Sequence, residues 1–172
     1  MKKIFIIGIV CFSLLACKHE NASEKCTDST KHSVEKTEIK PEIFLNYSEM
    51  VASAIKEAEI ITIEDFNKKL ESGISGILID VREQEEYAAG HIPGAINIPR
   101  GVIEGKLESE NFEEVYKVAR PGKETAIYLY CKSTNRSPLS AQSLKKLGYN
   151  KVTIIEKGFT GWSELYKDKV VK

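Results

Sequence analysis

The chain has 172 residues, enough for one ordinary domain with appendages. Its 42% hydrophobic and 29% charged residues suit a globular protein, and 25 basic residues balance 25 acidic ones. With no net charge, no basic stripe, no glycine-rich phosphate loop and three scattered histidines, nothing points to nucleic acid, nucleotide or metal, and no cofactor is expected.

MKKIFIIGIVCFSLLAC opens the chain with two lysines, an apolar run from Ile4 to Ala16 and a cysteine. The run is short for a bilayer span, and its charge layout is that of an export signal. LLAC, from Leu14 to Cys17, resembles the lipobox of bacterial lipoproteins. That resemblance implies a signal peptide over residues 1–16 and lipid on Cys17, with several acyl chains giving a stable membrane anchor. An ordinary secretory signal or an uncleaved anchor is the plainer alternative. Residue 18 is Lys rather than Asp, which tilts an anchored protein toward the outer membrane of a cell that has one. Residues 18–45 are dense in Lys, Glu, Ser and Thr and too polar to bury a core; with Cys17 they read as a tether to a domain at 46–172.

Of four cysteines, Cys11 leaves with the signal and Cys17 takes lipid. Cys26 in the tether and Cys131 in the domain remain, which is no disulfide framework. An unpaired thiol in an oxidising compartment is at risk, so the retention of Cys131 points to chemistry.

From residue 46 the pattern alternates. SEMVASAIKEA places Met50, Val51, Ala54, Ile55 and Ala58 at helical spacing after a Ser48 cap. IITIEDFNKKLESG predicts a short strand, a helix capped by Thr62, and a stop at Gly73. GILIDV reads as a strand buried on both faces, REQEEYAAG as a short helix closed by Gly90, and AINIP as a further strand. ENFEEVYKVA is amphipathic through Phe112, Val115, Tyr116 and Ala119. AIYLY predicts a buried strand, SPLSAQSLKKLG a helix, KVTIIE a strand and GFTGWSELY a last helix. Strands alternating with helices predict an α/β fold with a central parallel sheet of about five strands and helices on both faces.

Cys131 follows AIYLY directly, at the strand edge where open α/β sheets place their ligands. After Lys132, Ser133, Thr134, Asn135 and Arg136 the spacing predicts a helix with Ser137 as N-cap and Pro138 in its first position. Free helix amides and two nearby cations favour a thiolate over a thiol, so Cys131 is the candidate nucleophile. A cysteine serving only to fill a core has no need of this polar loop.

VREQEEYAAGHIPGAINIP, YCKSTNRS and LGYNKVTIIEKGFTGW together resemble the three signature stretches of the rhodanese domain, over about residues 60 to 166. The resemblance implies a sulfurtransferase in which Cys131 takes a sulfane sulfur from a donor, becomes a persulfide and passes the sulfur to a thiophilic acceptor. The backbone N–H groups of Lys132 to Ser137 would cradle the terminal sulfur, with Lys132 and Arg136 steering small anionic donors such as thiosulfate. The acceptor would be a thiol, of a small molecule or of a protein, or a cyanide-like nucleophile. A non-catalytic sulfur-binding or docking module is the competing reading. Phosphatases related to this family use Cys-x5-Arg, whereas the spacing here is Cys-x4-Arg.

Two positions depart from the family pattern. Thr134 stands where glycine is usual, and Lys157 replaces the first of a glycine pair that keeps Gly158. Asp80, Arg82 and His91 recur in the first signature and read mainly as scaffold, although Asp80 ends a strand at the same edge as Cys131 and so has a supporting role open to it. A turn-organising hydrogen bond is expected of His91, and Trp162 reads as core. Cys26 reads as a free tether thiol, with attack on a Cys131 persulfide as the sharper alternative.

Overall fold

The computed structural model describes residues 42–172. The proposed leader, Cys17, Cys26 and residues 17–41 of the tether lie outside the described residues. Five strands, β1 (Glu59–Ile61), β2 (Ile77–Asp80), β3 (Ala95–Asn97), β4 (Ile127–Tyr130) and β5 (Val152–Ile155), form one parallel sheet in the order β1-β5-β4-β2-β3. Seven α-helices accompany it: α1 (Tyr47–Glu57), α2 (Ile63–Glu71), α3 (Gln84–Ala89), α4 (Ile103–Leu107), α5 (Phe112–Tyr116), α6 (Arg136–Lys146) and α7 (Gly158–Leu165).

The strand period of two sorts the core into two layers. Ile77, Ile79, Ile127, Leu129, Val152 and Ile154 face one side, where Ile103, Leu107, Phe112, Ala141 and Leu144 of α4, α5 and α6 cover them. Leu78, Tyr130 and Ile155 face the other side with Ile63 and Phe66 of α2 and Trp162 of α7. The predicted parallel sheet with helices on both faces is therefore the observed one. Helix α1 packs outside α6 through Val51, Ala54 and Leu139.

Local signals hold where they describe short-range hydrogen bonds. Thr62 Oγ1 accepts from the Asp65 amide at 3.1 Å, and Gly73 follows the α2 cap at φ +89°. Four details differ. Asn46, not Ser48, caps α1, its Oδ1 accepting from the Glu49 amide at 3.0 Å. Helix α6 starts at Arg136 after Asn135, so Ser137 is inside the helix rather than its cap. Helix α5 stops at Tyr116, where Lys117 turns left-handed at φ 57°, and Val115 within it is exposed. Helix α4 and the 3-10 turn Arg100–Val102 before it went unpredicted, since Gly101 and Gly105 interrupt the apolar spacing that Ile103 and Leu107 complete.

Candidate active site

The loop opens where β4 ends, between the sheet edge and the first turn of α6. Its walls come from two other helices: α3, which follows β2, and α7, which follows β5. The Phe159 and Thr160 amides at the start of α7 donate to the carbonyls of Cys131 (2.8 Å) and Lys132 (3.0 Å), locking the loop's first two residues. This approach is close enough that a Cβ on Gly158 would sit on the Cys131 carbonyl oxygen. Lys157 and Gly158 are both left-handed, at φ 53° and 54°, but only the second lacks room for a side chain. The loss of the first glycine is thereby accommodated.

Cys131 is 1% exposed. Its Sγ accepts from the Arg136 amide at 3.3 Å and from the Ser137 hydroxyl at 3.6 Å. Burial pushes the thiol up, but the amide and hydroxyl of Ser137 and the amides of Arg136 and Ser133 outweigh it, holding the thiol below its ordinary value. Ser137 thus serves the sulfur directly with its hydroxyl, a role the cap assignment had hidden. Thr134 does adopt the left-handed conformation, at φ 68°, a strain of about 1–2 kcal/mol for a β-branched residue. Its Oγ1 is buried and has no hydrogen-bond partner.

The two loop cations are not alike. Lys132 is exposed, makes no ion pair among the described residues, and lines a hollow of about 360 Å³ with Arg82, Glu86, Ala89, Phe159, Thr160 and Ser163. Arg136, in contrast, is gripped by Glu86 through two hydrogen bonds of 2.7 and 2.9 Å, with Glu83 at 3.9 Å. The guanidinium holds the Glu86 carboxyl below the usual carboxylate range. The Arg136 charge is therefore paired with carboxylates, a pairing the reading from sequence did not include. Asn135 points the loop toward α1 and lines a smaller hollow there with Tyr47, Val51 and Ile55.

Asp80 and Arg82 form a buried pair behind the loop, 0% and 3% exposed. Asp80 accepts from the Arg82 amide at 2.9 Å and from its guanidinium at 2.6 to 3.0 Å. The same guanidinium donates to the Gly90 carbonyl at 2.7 Å and lies 4.1 Å from the Phe159 ring centroid. The pair thus ties β2 to the end of α3 and to α7. Asn97 completes it by donating to the Asp80 and Arg82 carbonyls. His91 stands outside the loop, its ring stacked on Tyr87 and its Nδ1 3.2 Å from the Tyr87 carbonyl oxygen. Trp162 is fully buried.

Sequence reasoning missed Glu86, Phe159 and Asn97. Glu86 sits in a run of acidic residues in which nothing local singles out the one that reaches Arg136, fifty positions on. Its visible local role is to cap α3, accepting from the Glu83 amide.

The family model for the rhodanese-like domain matches residues 62–165. The chain belongs to the rhodanese-like domain family. A Bacillus subtilis relative named "Putative sulfur carrier protein YrkF" is 33% identical over 147 residues, covering 81% of this chain and 72% of the relative. A Schizosaccharomyces pombe relative named "Putative thiosulfate sulfurtransferase, mitochondrial" is 32% identical over 125 residues, covering 72% and 88% respectively. The solved structure of human single-domain sulfurtransferase TSTD1 is 32% identical with a TM-score of 0.58, covering 62% of this chain and 96% of that one. Rhodanese-like membership and these relatives support sulfur transfer as the general activity.

Proposed function

We propose that the protein is a rhodanese-type sulfurtransferase that carries sulfane sulfur on Cys131. The single observation that carries this reading is a thiol of lowered pKa at the base of a loop whose amides and one hydroxyl converge on its sulfur. The Cys131 thiolate attacks the outer sulfur of a donor such as thiosulfate; the donor S–S bond breaks and its electron pair leaves on sulfite. The new persulfide anion sits among the amides of Arg136, Ser137 and Ser133, which offset its charge. An acceptor, cyanide or a thiolate, then attacks that terminal sulfur and restores the Cys131 thiolate, with no net change in the protein. Asp80 and Arg82 act as scaffold that holds the hollow beside Lys132.

The competing reading, a sulfur-binding or docking module with negligible turnover, is favoured by the near-complete burial of Cys131 and by the strained Thr134. The test is thiocyanate release from thiosulfate and cyanide. Release that vanishes in Cys131→Ser supports the enzyme; a folded protein that forms the persulfide without turnover is the module. Phosphate released from an aryl phosphate would instead identify a phosphatase.

The leader and Cys17 support anchoring by lipid at the bacterial envelope, with the domain facing the periplasm and the outer membrane favoured by Lys18. Loss of membrane association in Cys17→Ala on cell fractionation supports this; unchanged association refutes it.

A further inference from the structure

We infer that Glu86 selects the donor by charge, cancelling Arg136 so that the loop favours a sulfur donor of one negative charge over dianionic thiosulfate. The inference rests on the sulfur-transfer reading and concerns which donors that site accepts.

Its basis is geometric. Arg136 is the one arginine of the loop, and both terminal nitrogens of its guanidinium donate to Glu86, at 2.7 and 2.9 Å, with the Glu83 carboxylate at 3.9 Å. Arg82, the next cation, is buried against Asp80. Around the loop three cations, Arg82, Lys132 and Arg136, therefore face three carboxylates, Asp80, Glu83 and Glu86. Once Cys131 ionises the centre is anionic. Among the described residues around the loop, Lys132 alone is left to attract a donor, from the same hollow that Glu86 lines. A second negative charge on the donor meets no further unpaired cation among the described residues of the hollow, and its desolvation there goes uncompensated. Glu86 touches no reacting atom; it acts through Arg136 and is a specificity-determining residue.

Thiosulfate and the methanethiosulfonate ion isolate the variable, because both present a terminal sulfane sulfur on a tetrahedral sulfur while differing by one charge. The Cys131 thiolate displaces sulfite from the first and methanesulfinate from the second, and cyanide collects the same thiocyanate from either persulfide. Glu86→Gln keeps a carbonyl oxygen to accept from the Glu83 amide and from Arg136 but removes the charge. Freeing Arg136 also favours the Cys131 thiolate, an effect common to both donors that divides out of their ratio. The relative kcat/KM of thiosulfate over methanethiosulfonate is expected to rise about three- to sevenfold in Glu86→Gln. That is the Coulomb effect of one extra charge taken at a separation of about 7 Å in a dielectric of about 40–80. The gain shrinks at 0.5 M salt.

A second readout does not need turnover. In the full chain, alkylation of Cys131 by iodoacetate relative to iodoacetamide, followed on the Cys131 peptide by mass spectrometry, is expected to rise by a similar factor in Glu86→Gln. Equal gains for both donors, or an unchanged iodoacetate-to-iodoacetamide ratio in folded protein, overturn the inference. If the wild type moves sulfur from neither donor, the sulfurtransferase reading falls and the alkylation ratio alone decides on Glu86. If Glu86→Gln does not fold, Glu83→Gln, whose carboxylate lies 3.9 Å from Arg136, carries the same test with a smaller rise; no rise there counts against the inference.

Discussion

Replacing Ser137 by Ala removes one hydroxyl from the Cys131 sulfur and leaves the Arg136 amide at 3.3 Å in place. The hydroxyl sits at 3.6 Å, long for its type, so its contribution to the thiolate falls at the low end for a charged acceptor, about 1–1.4 kcal/mol. Losing it lowers the thiolate fraction about five- to tenfold at pH values below the thiol's midpoint. A weaker acid is a better nucleophile, with a Brønsted slope of about 0.4–0.5 in thiol exchange, so about half of that loss returns on a logarithmic scale. Iodoacetamide should therefore modify Cys131 about two- to threefold more slowly in Ser137→Ala at low pH, and faster than wild type well above the midpoint. The two pH–rate curves must cross. Ser137 is fully buried and the change deletes a single atom, so a packing defect is the natural rival explanation. Such a defect would move the rate in one direction at every pH. Curves that do not cross, or a midpoint that falls, would refute the assignment of the hydroxyl to the thiolate.

Other consequences follow from the same structure. Asp80→Ala leaves a guanidinium buried without its carboxylate and should cost about 3–5 kcal/mol in urea denaturation, whereas Asp80→Leu with Arg82→Met should cost under about 2; equal costs would deny the coupling. Gly158→Ala forces the Cys131 carbonyl to move and should lower the rate of persulfide formation at least about tenfold, since sub-ångström placement governs such steps; an unchanged rate would show the loop to be more pliant than its packing implies. Thr134→Gly relieves about 1–2 kcal/mol of left-handed strain, offset by about 0.5–1 of backbone entropy, so a net stabilisation of about 0.5–1 kcal/mol is expected; destabilisation would mean that the buried hydroxyl does have a partner. Folding lowers the Cys131 pKa, so between the folded and unfolded values the unfolded chain binds more protons and stability rises with pH. The increment is complete above the unfolded value of about 8.5 and is lost as pH falls through the folded one. Cys131→Ala should flatten that rise, and an unaltered slope would contradict a depressed pKa.

The sequence by itself determined the architecture and singled out Cys131 as the candidate nucleophile. Short apolar runs such as ILID and IYLY cannot be half exposed, so they call for a sheet covered on both faces, and the alternation with helices makes it parallel. A cysteine at a strand end before a polar loop and a helix is likewise a local pattern. So is the left-handed position at Thr134, which the family glycine marks. Tertiary structure decided the rest, because ion pairing is a matter of distance in space. Arg136 reads as a free cation until α3 brings Glu86 across fifty residues to meet it. Ser137 reads as a cap until the helix starts two residues earlier and turns its hydroxyl to the sulfur. Gly158 became indispensable only when α7 came to rest on the Cys131 carbonyl, a contact between segments that no local rule connects.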